Sequence, residues 1–370
     1  MLYAVFVREL GEERAALKFK RRSNMEYDHS RDRTTLIDSV GHKTYVVTCD
    51  LANRMKELEQ VGIMLLPERE HVAFFEKFHV ELMATLKGLL PEDIEIQSVD
   101  MDILAQKVLG AALARESRLR DAIVVSTCFE MSAARRGITL EINRIVDGSG
   151  KLIGLGPRPG HTDLTSQFMA ISRLAAEGRP VVLVEDGTFS GKTLKYVLAH
   201  FARVGVNVDS LIVGLCFEEA LTTLEGILPP NVQIMAQTTR PYEWMPDHDF
   251  FPFAPNCGLV FGISLGGQAL PYYTHDGATF SFPYLSPFGN TEDWASIPKD
   301  KVRELSLLCL RTSQHFFGLL EGVNNRSIHC KDLIGTRPRI SIPISFGQSQ
   351  LPNLSSRVVD FLHDAIEEIW

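Results

Sequence analysis

Two adjacent carboxylates, Glu185 and Asp186, stand directly after four apolar residues, 181–184, in the sequence VVLVEDGTFSGKTL. A continuous apolar run rich in β-branched residues is typical of a strand buried on both faces of a parallel sheet, so we expect the acids at its carboxyl end. A short stretch rich in glycine and hydroxyl side chains follows. Backbone N–H groups of such a loop, at the start of a helix, bind phosphate. The two acids can bind hydroxyl groups, and the loop beside them can bind a phosphate. Together they indicate a site for a sugar phosphate.

The elements around this motif form a strand–helix–strand unit. Apolar residues recur at helical spacing from Leu194 to Phe201, and Gly205 follows as a stop signal. A second apolar run, residues 211–217, predicts the next strand. Such a unit is the building block of a parallel sheet flanked by helices.

The tripeptide Gly-Lys-Thr also invites comparison with the phosphate loop of the P-loop nucleotidases, G-x-x-x-x-G-K-[ST]. That motif needs a glycine five residues before Gly191, where this chain has Asp186. Gly187 stands only four residues before Gly191, so the loop is one residue short. Two carboxylates facing a triphosphate would also repel it, which argues against this class.

The segment resembles the loop of the type I phosphoribosyltransferases that binds phosphoribosyl pyrophosphate (PRPP), most closely in the hypoxanthine-guanine branch. The resemblance implies that Glu185 and Asp186 bind the ribose 2′ and 3′ hydroxyls, lie beside Mg²⁺ and act in catalysis. It also implies that residues 187–191 wrap the 5′-phosphate. The PRPP-binding residues implied are Glu185, Asp186, Gly187, Thr188, Phe189, Ser190, Gly191, Lys192 and Thr193.

The chain departs from this family at two places. The purine-specific branch has an acid two residues before the second glycine, where this chain has Phe189. The family also places a glycine-containing, pyrophosphate-contacting loop after an earlier strand. The corresponding strand here, residues 122–127, is followed by Cys128, Phe129 and Glu130 without glycine, which leaves backbone groups and Arg135 or Arg136 for that contact.

The family closes a mobile loop over the reacting groups, and residues 147–163 correspond to it. Five glycines and two prolines predict a loop or hairpin there. The resemblance implies that Arg158 contacts the leaving pyrophosphate, while Lys151 and His161 are the other cationic or titratable groups. A surface hairpin with solvated charges is the alternative.

Residues 240–262 follow the next strands and are dense in aromatic rings. The family binds its base in this part of the chain, often by stacking on an aromatic ring. We expect weaker, acceptor-binding roles for Trp244, Asp249, Phe250 and Phe251. Packing in the core is the alternative for each ring. Asp249 and His161 are candidates for a general base.

The length of 370 residues exceeds the size of one such domain, so additions are expected on both sides. The predicted fold is α/β, a type I phosphoribosyltransferase-like parallel sheet flanked by helices, with extra mixed α/β regions. The three regions are a mixed, mainly helical N-terminal region (1–115), the phosphoribosyltransferase-like α/β core (116–265) and a C-terminal extension with loops and two helices (266–370). Periodicity predicts helices at 51–61, 70–89, 102–115, 164–176, 301–321 and from 355, and strands at 44–48 and 339–345.

Composition limits the classes of function. The formal net charge of −8 argues against a nucleic-acid partner, and the sequence lacks the 18-residue apolar run of a membrane span. The six cysteines form no C-x-x-C pair, and no histidine spacing completes a zinc site. The N-terminal residues do not resemble a signal peptide. Scattered cysteines in such a chain are typical of reduced thiols, so the sequence predicts a cytoplasmic protein. The resemblance implies a homodimer.

The expected activity is PRPP-dependent transfer of ribose 5-phosphate to an unidentified, nucleobase-like nitrogen acceptor with release of pyrophosphate. Mg²⁺ is the expected cofactor, with Glu185 and Asp186 as its ligands. The alternative is a non-catalytic PRPP-binding or nucleotide-binding regulator, or a subunit of a larger bacterial stress or defence complex. The departure at Phe189 leaves both interpretations open.

Overall fold

A parallel sheet carries the acid pair on one of its central strands. The computed structural model describes residues 35–36, 42–128, 138–334, 340–346 and 351–370. Within these ranges the strand order is β1 (Thr35–Leu36), β10 (Asn231–Thr238), β9 (Val208–Phe217), β8 (Val181–Thr188), β4 (Ile123–Ser126) and β5 (Ile138–Thr139). Every neighbouring pair is parallel. The predicted α/β fold with a parallel sheet is confirmed.

Helices lie along the chain largely where periodicity predicts them. In chain order they are α1 (Leu51–Met55), α2 (Glu68–Leu89), α3 (Met101–Glu116), α4 (Leu164–Leu174), α5 (Lys192–Arg203), α6 (Glu218–Leu224), α7 (Thr291–Ala295), α8 (Val302–Asn324) and α9 (Val358–Glu368). The predicted helix at 51–61 divides after α1, where the 3₁₀ helix Lys56–Val61 begins. None of the helices in the described ranges is both long and apolar enough to cross a membrane.

The β8 strand is buried on both faces, as its unbroken apolar run predicts. Val181 and Leu183 pack in one apolar cluster with residues of α4 and α5. Val182 and Val184 pack in another with residues of α3. The strand continues past the predicted end at residue 184 to Thr188, since residues 185, 187 and 188 still pair with β9. The acids are therefore near the end of the strand, and the loop after it contains only residues 189–191.

A second parallel sheet packs on the α3 side of the first. It contains β11 (Pro241–Pro246), β2 (Lys43–Cys49) and β3 (Ile94–Asp100), in that order. Val46 of β2 belongs to the same apolar cluster as Val182 and Val184 of β8. The second sheet is thus held against the strand that carries the acid pair.

A third sheet contains a β-hairpin at residues 142–157, which overlaps the region 147–163 where a loop or hairpin is predicted. Its order is β15 (Ile342–Pro343), β14 (Phe280–Phe282), β12 (Leu259–Leu265), β6 (Ile142–Val146) and β7 (Leu152–Pro157), with β13 (Gln268–Pro271) paired to β12. Strands β6 and β7 are antiparallel and joined by a tight turn at 147–151. Strand β6 pairs with β12 as well as with β7, so the hairpin is held within the sheet.

Residues 35–370 form one compact unit. Its largest apolar cluster contains Phe78 of α2, Phe251, and Phe316 of α8, so it draws on all three regions that the sequence predicts. The division of the chain at residues 115 and 265 stays a prediction.

Candidate functional site

The acid pair lies at the middle of the main sheet, close to the carboxyl end of β8. Glu185 pairs with Val213 of β9, and the neighbouring strand β4 ends beside Val184. Thr127, directly after β4, donates through its backbone N–H to the Val184 carbonyl oxygen at 3.1 Å. In an open parallel sheet the carboxyl ends of adjacent strands form the usual ligand crevice.

Glu185 carries a buried oxygen that lacks a partner. Its Oε2 has no hydrogen-bond partner among the described residues. Burial raises the pKa of Glu185 well above its usual range, the adjacent Asp186 raises it further, and Arg158 opposes both effects. A buried carboxylate is costly unless a cation or a hydrogen-bond donor satisfies it. This oxygen is therefore suited to a metal ion or a hydroxyl group of a ligand.

Asp186 is oriented by the chain itself. Its Oδ1 accepts a hydrogen bond from the backbone N–H of Gly187 at 2.7 Å. Both Glu185 and Asp186 are half-buried, so the pair is neither sealed in the core nor fully solvated. The two residues offer oxygen ligands of the kind that Mg²⁺ prefers, and the orphaned Glu185 oxygen fits such an ion.

The loop after the acids ends in a turn that only glycine fits well. Gly191 has φ +73°, and a β-carbon there would lie 2.9 Å from the carbonyl oxygen of Ala220. It immediately precedes α5, whose first turn receives no side-chain cap. Uncapped N–H groups at a helix start, with positive partial charge, form a natural binding place for phosphate.

The remaining loop residues divide between this turn and the interior. Thr188 is buried in β8 opposite Cys216, whereas Ser190 and Thr193 are half-buried beside the turn and Lys192 is exposed. The Phe189 ring packs edge-on against Phe217, with 4.8 Å between ring centroids. Phe189 thus belongs to the apolar cluster under α3 and presents no polar group to a ligand.

Arg158 comes directly after β7, and its positive charge acts on the acid pair. Its Nε lies 3.6 Å from Glu141 Oε2, and this buried Nε has no hydrogen-bond partner among the described residues. His161 Nε2 lies 3.9 Å from the same Glu141 oxygen. The hairpin therefore brings Arg158 and His161 together beside Glu141, and Arg158 close enough to Glu185 to lower its pKa.

Glu141 was absent from the sequence-based set. It is a single acid just before β6, and no motif or spacing distinguishes it from other acids. Only the folded hairpin shows that it holds Arg158: beyond the side-chain contact, the Arg158 N–H donates to the Glu141 carbonyl oxygen at 3.0 Å. Phe129, Glu130, Arg135 and Arg136, the other residues considered for pyrophosphate contact, lie outside the described residues.

Trp244 is the acceptor-side candidate that lies next to the acid pair. A β-carbon built on Gly187 would come within 2.5 Å of Trp244 Cη2, so the indole ring covers that glycine. The ring also stacks on Phe217, with centroids 5.9 Å apart, and its Nε1 donates to Thr48 Oγ1 at 3.2 Å. Trp244 remains half-buried, so part of its surface faces outward.

The other three acceptor-side candidates are in the interior. Phe250 and Phe251 are fully buried in the largest apolar cluster. Asp249 is 7% exposed, and its Oδ1 accepts a hydrogen bond from the Gly258 N–H at 2.7 Å. Core packing and loop fixation are their observed roles, and acceptor contact by these residues stays a prediction.

Comparison with known proteins gives a limited result. No protein-family model matches the chain, and no curated protein matches it. Among solved structures, an adenine phosphoribosyltransferase from Thermoanaerobacter pseudethanolicus is 13% identical, with a TM-score of 0.25, over 36% of this chain and 79% of that one. The protein TT1426 from Thermus thermophilus is 17% identical, with a TM-score of 0.23, over 36% of this chain and 81% of that one. Likeness at this level assigns no function, so the interpretation rests on the site's own geometry.

Proposed function

We propose that this chain binds PRPP with Mg²⁺ and transfers its ribose 5-phosphate to a nitrogen atom of a nucleobase-like acceptor, releasing pyrophosphate. The observation that carries the proposal is the unpartnered, buried Oε2 of Glu185. This residue is next to Asp186, and three strand residues separate it from the phosphate-sized turn at 189–191. A ligand with neighbouring hydroxyls and a terminal phosphate satisfies both features at once.

In this proposal the acids hold the ribose. Glu185 and Asp186 accept hydrogen bonds from the ribose hydroxyls. Displacement at the anomeric carbon passes through a transition state with oxocarbenium character, so nearby carboxylates stabilise its positive charge. The same two residues would hold Mg²⁺, which when bound neutralises pyrophosphate charge. Either contact opposes the effect of burial, which raises the pKa of Glu185.

The other end of the ligand is held by the turn before α5. The uncapped first turn of α5 supplies N–H groups, and the hydroxyls of Ser190 and Thr193 lie beside it. Binding the 5′-phosphate there positions the anomeric carbon for reaction. Arg158, whose buried Nε lacks a hydrogen-bond partner in the described structure, donates to the departing pyrophosphate as its charge grows.

A second candidate function is binding of PRPP without transfer. Phe189 occupies the place of the base-contacting acid and packs against Phe217, which favours this alternative. A regulator, or a subunit of a bacterial stress or defence complex, would need only the acid pair and the turn.

Isothermal titration calorimetry with PRPP and Mg²⁺ tests the binding step. We expect one site per chain, and at least roughly tenfold weaker binding in Asp186→Ala and Glu185→Gln, because each loses an ionised ligand contact. The exposed Asp276 offers a matched control, since Asp276→Asn removes the same charge from a turn that has no part in the proposed site. Equal PRPP affinity in Asp186→Ala and the parent chain would place the site elsewhere.

Pyrophosphate release, measured with the same chains over a panel of nucleobases and amines, then separates the two candidate functions. Release with at least one acceptor that is lost in Arg158→Ala supports transfer. Binding of PRPP with no release for any acceptor supports the non-catalytic alternative. Absence of PRPP binding contradicts both.

A further inference from the structure

A mixed cluster of metal-ligand side chains lies at the carboxyl edge of the second sheet. Cys49 is the last residue of β2, and Asp247 directly follows β11 on the neighbouring strand. His79 approaches from α2. The candidate ligand atoms of Cys49, His79 and Asp247 all lie within 4.8 Å of one another. Three separate elements therefore converge on one point without any local sequence motif.

The spacing between Cys49 and His79 matches that of two ligands of one metal ion. Cys49 Sγ lies 3.4 Å from His79 Nδ1. With zinc–sulfur and zinc–nitrogen bonds of about 2.3 and 2.1 Å, tetrahedral ligands lie about 3.6 Å apart. The Asp247 oxygen lies within 4.8 Å of the ligand atoms of both residues. Thiolate, imidazole and carboxylate together form a donor set suited to Zn²⁺ rather than to Mg²⁺ or Ca²⁺.

Neighbouring groups orient the donors in the manner of an outer coordination shell. The Oδ1 of Asp247 accepts hydrogen bonds from the backbone N–H groups of Asp50 at 3.1 Å and Leu51 at 3.0 Å. Ser98 Oγ lies 3.1 Å from Cys49 Sγ and 3.2 Å from His79 Nε2. Such contacts fix ligand orientation in metalloproteins. Because Ser98 is exposed, the cluster has an entrance from solvent.

Acidic groups surround the cluster and favour a bound cation. Asp50, Asp100 and Asp247 all lie close enough to Cys49 to interact electrostatically with its thiol. A positive ion in the cluster would be attracted by the same groups.

A second group, Asp50, Asp247 and His248, also converges, but it already holds a cation. The Arg54 guanidinium contacts Asp50, and the same Asp50 contacts His248. Asp50 is therefore occupied by internal partners, and Asp247 is the carboxyl group common to both clusters. This distinction selects the first cluster as the metal site.

We propose that Cys49, His79 and Asp247 bind one zinc-class divalent ion, with a water molecule or the Ser98 hydroxyl in the fourth position. Three protein ligands and an open fourth position are the arrangement of reactive rather than purely structural zinc sites. The ion would also link Asp247 to β2 and α2. Asp247 is three residues after Trp244, whose ring covers the strand that carries the acid pair. This site is separate from the proposed PRPP site, and its test uses no activity.

The test uses the full chain in two forms. The chain purified without chelator should contain one zinc ion per molecule, as measured by inductively coupled plasma mass spectrometry. After metal removal, titration with Co²⁺ should saturate at one equivalent and produce the intense near-ultraviolet band of a cobalt–thiolate bond. Cys49→Ser should abolish that band, and His79→Gln should weaken Co²⁺ affinity at least about tenfold. His315→Gln, an exposed histidine on α8, is the matched control and should leave both unchanged.

Two outcomes overturn the proposal. One is a parent chain that retains no zinc and shows no thiolate band with one equivalent of Co²⁺, whatever the variants do. The other is a thiolate band that persists in Cys49→Ser, since it would then come from another cysteine. Circular dichroism of the metal-free variants separates loss of ligand from loss of fold, and Asp247→Asn provides an independent weakening of affinity if Cys49→Ser fails to fold.

Discussion

The indole ring of Trp244 lies directly against the backbone of Gly187, the residue that follows the acid pair. A β-carbon on Gly187 would come within 2.5 Å of Trp244 Cη2 and 2.8 Å of Cζ2. Gly187 belongs to β8 of the main sheet, and Trp244 belongs to β11 of the second sheet. This contact joins the two sheets at the proposed binding site, and it requires that residue 187 have no side chain.

Gly187→Ala should therefore destabilise the chain. The added methyl group forces the rigid indole or the strand to shift, which typically costs about 1–3 kcal/mol. Urea unfolding at neutral pH measures the change. Gly110→Ala is the matched control, because Gly110 is on α3 with open space around it and alanine favours the helix. In a Trp244→Leu background the Gly187→Ala cost should shrink, since the two residues are coupled; equal costs in both backgrounds would contradict the contact.

Glu185→Gln should change how stability depends on pH. Burial and Asp186 raise the pKa of Glu185 above its ordinary value of 4.5, so the folded chain holds this proton more tightly than the unfolded chain. The stabilisation from this tighter proton binding is present below pH 4.5 and is lost as the pH rises through the folded-state pKa. We expect Glu185→Gln to be more stable than the parent at about pH 8 and to lose that advantage near the ordinary pKa, by chemical unfolding without ligand. A variant less stable than the parent under the alkaline condition would show that the carboxylate is already satisfied.

Gly191→Ala should damage both stability and PRPP binding. The left-handed backbone at this position costs a non-glycine residue about 1–2 kcal/mol, and its β-carbon would also press on the Ala220 carbonyl oxygen at 2.9 Å. Gly205→Ala is the matched control: Gly205 has φ +74° but open space around it. Thermal unfolding and calorimetry should show a larger loss of stability for Gly191→Ala, with loss of PRPP affinity in that variant alone. Equal losses in the two variants would mean that the turn before α5 is not specially constrained.

The ion pair between Arg115 and Asp209 should stabilise the packing of α3 on the amino end of β9. Arg115 Nη2 lies 2.8 Å from Asp209 Oδ2. Burial raises the pKa of Asp209, but hydrogen bonding from Ser210 and the charge of Arg115 lower it below its ordinary 3.8. This stability is present above pH 3.8 and is lost as the pH falls through the folded-state pKa. Asp209→Asn should cost about 1 kcal/mol at neutral pH, measured by urea unfolding, and progressively less in acid. A pH-independent cost would point to lost packing instead.

Local pattern was sufficient for most of the elements that form the main sheet. The unbroken run at residues 181–184 predicts a strand buried on both faces, and β8 has apolar clusters on each side. The face from Leu194 to Phe201 predicts α5, which buries those residues. The end of β8 was predicted four residues too early. Hydrogen bonding to β9 extends the strand through Glu185, Asp186 and Gly187, residue types that do not favour strands.

Residues 240–262 show where local pattern fails. Their aromatic rings are alike in the sequence, yet Trp244 covers Gly187 at the acid pair whereas Phe250 and Phe251 lie in the interior. The difference arises because β11 pairs with β2, which lies far earlier in the chain, and this pairing directs Trp244 toward β8. No local periodicity contains that information.

The sequence by itself determined the acid pair, the turn before α5 and the parallel sheet, because these depend on residue types within about twenty positions of one another. The tertiary structure alone decided that Arg158 is held by Glu141 near Glu185, and that Cys49, His79 and Asp247 meet at one point. Long-range strand pairing and burial bring these groups together and set their charges. Such effects depend on the whole folded chain rather than on any single segment.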